Sequence, residues 1–68
     1  MDIRAHVKTL NEKRARAWEA QKADLDLTAG RERSVEEQER LNRQDAEIAA
    51  LDVEITDYVT RATRENEA

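Results

Sequence analysis

Apolar positions along the chain fall into two periodic stretches separated by a single glycine. Within residues 1–29, Ile3, Val7, Leu10, Arg14, Trp18, Gln21 and Leu25 recur at steps of 4, 3, 4, 4, 3 and 4. Such steps hold one face of an α-helix, and an eleven-residue repeat lies near the pitch of a straight helix, so little left-handed supercoiling is predicted. Arg14 and Gln21 are polar members of this stripe. They thin the core and either fix register or, for Arg14, lay an alkyl stem on apolar surface while the guanidinium reaches water. In residues 35–66, Leu41, Ile48, Ile55 and Ala62 stand seven apart with Gln44, Leu51 and Tyr58 between them. That is a coiled-coil seam with one polar layer at Gln44. Val53 and Val59 fall off it and widen the apolar face, which invites a second contact.

The break between the stretches is marked on both sides. Gly30 follows Leu27-Thr28-Ala29 and suits the left-handed position that ends many helices. Ser34-Val35-Glu36-Glu37 then forms a capping box in which Ser34 and Glu37 satisfy each other's free amides. Glu36, Glu37 and Glu39 crowd the positive end of the new helix dipole. Arg33 stands where a hydrophobic staple would sit. At the other end Asp2 caps the first helix. Glu12–Arg16, Glu36–Arg40, Glu39–Arg43 and Asp57–Arg61 are acid-before-base i,i+4 pairs.

These signals predict a first helix over about 2–29, a hinge over 30–34 and a second helix over about 35–66, all in one domain, residues 1–68. The tail Arg64-Glu65-Asn66-Glu67-Ala68 has no apolar anchor and is expected to fray. A short linker between long helices makes them antiparallel neighbours. The predicted fold is all-α, an antiparallel two-helix hairpin, coiled-coil-like and associating into larger helical bundles. Ile3, Val7, Leu10, Trp18 and Leu25 would face Leu41, Ile48, Leu51, Ile55 and Tyr58, with Leu25 near Leu41 and Ile3 near Ala62.

Composition sharpens this picture. The chain has no Pro, no Cys and one Gly, and 41% of its residues are charged. Lacking Cys, it has no disulfide framework and no thiolate metal site, which suits a reducing compartment. No apolar run reaches the roughly 18 residues of a membrane span, and a soluble, cytoplasmic protein is expected. Fifteen large apolar side chains are few against the entropy of ordering 68 residues. A lone hairpin is therefore expected to be marginal and to draw stability from a partner. Residues 1–29 carry net charge +1 and residues 30–68 carry −5. Lying side by side, the two helices attract, an effect that selects partners more than it stabilises them.

Little in the sequence supports chemistry. Two helices do not readily build a concave, water-excluding site. His6 is the only histidine and has no second His or Cys with which to hold a metal, so no cofactor is expected. Carboxylate pairs such as Asp45/Asp52 and Glu36/Glu39 read as a solvated face. Lys13-Arg14-Ala15-Arg16 is the one basic cluster, and the net charge of −4 argues against nucleic acid. Trp18 reads as packing, and Tyr58 as a seam residue whose hydroxyl reaches water.

The run Gly30-Arg31-Glu32-Arg33-Ser34-Val35-Glu36-Glu37, then Arg40-Leu41-Asn42, then Ile48-Ala49-Ala50-Leu51-Asp52-Val53-Glu54-Ile55, resembles the N-terminal region of HK97-type bacteriophage major capsid proteins. So does the first helix, with Asn11-Glu12-Lys13-Arg14-Ala15. The family often has an aliphatic residue where Arg33 stands. The resemblance implies a scaffolding (delta) domain: a helical extension ahead of the capsid fold that points into the prohead, guides capsomer assembly and is removed in many members by a maturation protease. It implies self-association with other capsid-protein copies, contact with the protease or portal, and a place in the host cytoplasm inside the prohead. Two rival readings remain from the residues themselves. One is a free-standing coiled-coil adaptor that dimerises into a four-helix bundle, and the other is a nucleic-acid-associated helical protein using Lys13, Arg14 and Arg16.

Overall fold

The computed structural model describes residues 1–67. Helix α1 spans Ile3–Thr28 and helix α2 spans Val35–Glu67, packed side by side and antiparallel. Together they form a rod of 54 × 17 × 15 Å.

Each helix begins where the sequence supplies acceptors for its free amides. Asp2 Oδ1 accepts from the backbone N–H of Arg4 at 3.0 Å and of Ala5 at 3.4 Å. At the start of α2, Ser34 N–H donates to Glu37 Oε1 at 2.9 Å and Glu37 N–H donates to Ser34 Oγ at 3.1 Å. That reciprocal pair is the capping box. Helix α2 runs through Arg64 and Glu65 to Glu67. Arg and Glu are good helix formers, and their backbone bonds need no apolar anchor. Ala68 lies outside the described residues.

The chain turns by a specific device. Ala29 is extended at φ −62°, ψ 134°, Gly30 follows at φ +80°, and Arg31 N–H reaches the Thr28 carbonyl at 3.4 Å. This is type II turn geometry, whose third residue needs positive φ and so favours glycine. Arg33, the residue in place of a staple, folds back over the turn. Its Nε donates to Thr28 Oγ1 at 3.4 Å and its Nη1 to Gln38 Oε1 at 3.3 Å. Arg31 clamps the same corner with two hydrogen bonds to Glu37, at 2.9 and 2.6 Å. Polar bonds thus hold the entry to α2 where apolar contact is missing.

Candidate helix-packing interface

Residues that meet across the hairpin have numbers summing to 64–68: Arg14 with Asp52, Gln21 with Asp45, Asp24 with Gln44 and Arg40, His6 with Tyr58. One register therefore runs the whole length. It sets Leu10 level with Ile55, and Ile3 level with Ala62, which line one hollow at the open end. Leu25 lies beside Leu41 in the same register, because Asp24 meets the residues on either side of Leu41.

On α2 the inward positions are Glu37, Leu41, Gln44, Ile48, Leu51, Ile55, Tyr58 and Ala62. Leu41 is buried and the others are half-buried. On α1 the seam differs from the predicted stripe. Ile3, Val7, Leu10 and Arg14 lie on it, but the next inward residues are Ala17, Gln21, Asp24 and Thr28. Trp18 is 41% exposed. It lies at the flank of the seam, lining a hollow with Ile48, Ala49 and Asp52 of α2, with Lys22 Nζ 5.7 Å from its ring centre. Leu25 is half-buried beside Asp24. The α1 repeat is consequently seven residues, matching α2, and the eleven-residue reading is corrected. Two helices packed along their length keep side chains in step only if both repeat at the same interval. A small residue at 17 admits this; an indole there would push the helices apart.

The seam is divided by chemistry. Its open half holds Ile3, Val7 and Leu10 against Ile55, Tyr58 and Ala62, with the His6 ring edge-on to Tyr58 at 4.6 Å. Its hinge half is polar on the α1 side. Gln21, 6% exposed, donates to Asp45 Oδ1 at 2.6 Å, and Gln44 Nε2 donates to Asp24 Oδ2 at 2.6 Å. Arg14 Nε donates to Asp52, and Arg14 Nη2 reaches its other oxygen at 3.4 Å. That forked bond and its charge raise the Arg14 pKa. Both partners are half exposed, so water screens the pair, and its main effect is to set register. Arg14 thus bonds across the seam, beyond merely lifting its charge to solvent. Thr28 Oγ1 returns to the Asp24 and Leu25 carbonyls at 3.2 and 3.3 Å.

Of the i,i+4 pairs, Asp57–Arg61 closes at 3.1 Å. Arg40 turns across the hairpin to Asp24 at 3.8 Å instead of to Glu36. Among the described residues, Glu12–Arg16 and Glu39–Arg43 do not close to ion-pair distance. Water already solvates such exposed charges, so little energy holds them together.

The net result is a thin core. Leu10 at 3% and Leu41 at 4% are the buried apolar side chains among the described residues. Val53 is 72% exposed and Val59 is 47% exposed. No helix among the described residues is long and apolar enough to cross a membrane. The fold and its seam define an all-α, coiled-coil-like helical hairpin. Comparison with protein-family models, curated proteins and solved structures finds no match for this chain.

Proposed function

We propose that this chain is a non-catalytic association segment, and specifically the scaffolding extension of an HK97-type capsid protein that its sequence resembles. In that role it joins copies of the capsid protein inside the prohead and is removed by a maturation protease afterwards.

The observation supporting this reading is the incomplete seam. Among the described residues only two apolar side chains are buried, the hinge half is held by polar bonds, and Trp18, Val53 and Val59 stay exposed. A segment built this way gains from neighbours and separates from them readily, as reversible assembly requires, since many weak contacts add through multivalency. Removing residues 1–68 from the product of the source gene tests the proposal. Failed or misshapen shells are expected, and normal closed shells would overturn it.

A further inference from the structure

Helix α2 carries a second seven-residue row outside the packed seam, of which Ala49 and Thr63 border hollows shared with α1. Ala46, Ala49, Val53, Thr56, Thr60 and Thr63 recur at steps of 3, 4, 3, 4 and 3, each five positions after a residue of the packed seam. Five residues turn a helix by about 140°, so this row lies on the back of α2. All six are exposed and none is charged, in a chain where 41% of residues are. Two of its three threonines make the row more apolar than its composition suggests. Thr60 Oγ1 donates to the Thr56 carbonyl at 2.9 Å and Thr63 Oγ1 to the Val59 carbonyl at 3.0 Å. With those hydroxyls occupied by their own helix, the row offers methyl groups and small side chains that let another backbone approach closely.

Two further observations identify what covers it. The accessible surface is 5291 Å², whereas a globular monomer of 7.9 kDa exposes about 4,400 Å². The excess of about 900 Å² belongs to the whole 54 × 17 × 15 Å rod, and it is of the size one partner contributes to a standard stable interface, about 800 Å². The edge charges supply the second. Arg43 and Asp57 lie on the same edge of the row, at equal distances on either side of Ala50, with opposite signs. Arg43 makes no ion pair within the hairpin among the described residues, while Asp57 accepts from Arg61 Nε at Oδ2, 3.1 Å, so a second copy's Arg43 would share that carboxylate. Turning a copy end for end about that centre lays each Arg43 on the other copy's Asp57. It also sets Val53 opposite the other copy's Ala46, large against small. On the other edge, Asp45 and Asp52 are already bonded to Gln21 and Arg14, which tempers their repulsion.

We propose that a second copy of this chain docks antiparallel along the back of α2, with two symmetric Arg43–Asp57 pairs fixing its register. This deepens the association reading above by naming its partner and face. A two-fold contact of this kind is self-complementary, so one face serves both copies.

Sedimentation equilibrium of the 68-residue chain across micromolar to millimolar concentrations tests it. A monomer–dimer equilibrium is expected, weakened about tenfold or more by Arg43→Asp, which sets like charges opposite each other. Adding Asp57→Arg to that variant should restore the dimer. Val53→Glu should weaken it similarly while circular dichroism stays helical, and Ala15→Glu, on the back of α1, should change nothing. A chain monomeric throughout, or no rescue by the double exchange, would overturn the proposal. The two readings fail separately: a dimer with this rescue whose deletion leaves shells normal removes the scaffold role alone. Defective shells from a monomeric segment remove only the dimer.

Discussion

Gln44 donates to Asp24 across the hairpin at 2.6 Å, while its own carbonyl oxygen lies buried without a partner among the described residues. An amide in a seam position is thus half satisfied. The same seam contains a second amide, Gln21, whose carboxylate partner Asp45 is exposed. These two glutamines differ in what their removal strands.

Replacing Gln21 with Leu leaves Asp45 in water, where it is solvated, and adds apolar area at a site now 6% exposed. A gain of about 1–2 kcal/mol is expected. Gln44→Leu removes an unpartnered carbonyl but leaves the half-buried Asp24 with only Arg40, 3.8 Å away. Losing a hydrogen bond to a charged group offsets about 1.5–3 kcal/mol. Urea unfolding should therefore rank Gln21→Leu above Gln44→Leu. The reverse order would show that Asp24 does not depend on Gln44.

Acid should loosen the hinge in a defined window. Two bonds from Arg31, helped by the Ser34 amide, hold the Glu37 carboxyl at about 2 against an ordinary 4.5, opposed by partial burial. A carboxyl lowered on folding stabilises the fold fully above its unfolded pKa. That contribution disappears as pH falls from 4.5 towards 2. Carbon-detected NMR titration of Glu37 should give the low midpoint. Glu37→Gln should abolish this part of the acid dependence of helicity, and a Glu37 midpoint near 4.5 in the folded chain would contradict the clamp.

Most of the hairpin was legible because its signals are local. Asp2, Gly30 and the Ser34–Glu37 box each act within four residues, so spacing alone exposes them. The seam of α2 was legible too, since its apolar residues follow one repeat. The seam of α1 was not, because hydrophobicity and geometry disagree at residues 17 and 18. Trp18 is the larger apolar group, but Ala17 is the one that keeps step with α2. Only the partner's repeat decides between them. The bonds of Gln21 and Gln44 and the fold-back of Arg33 depend on residues 5 to 24 positions away, which no local pattern reveals.

That disagreement can be measured. Ala17→Glu puts a carboxylate into the seam level with Ile48, whereas Ala15→Glu puts one on the solvent face of the same helix. Helix propensity changes equally in both. Ala17→Glu should cost about 1–3 kcal/mol as a poorly solvated polar group, and Ala15→Glu within about 0.5 kcal/mol. Thermal unfolding by circular dichroism checks this. Equal melting points would return Trp18 to the seam.

The turn offers the cleanest separation of backbone from packing. Gly30 sits at φ +80°, and a Cβ built there meets nothing within 4 Å. Any cost of Gly30→Ala is therefore conformational, about 1–2 kcal/mol for an L-residue in the left-handed region. Asn tolerates that region better than Ala, so Gly30→Asn should lose less. The order Gly, Asn, Ala in urea midpoint is the expected result. Ala equal to Gly would mean that the turn relaxes to another geometry, and the Arg31 N–H bond to the Thr28 carbonyl would go with it.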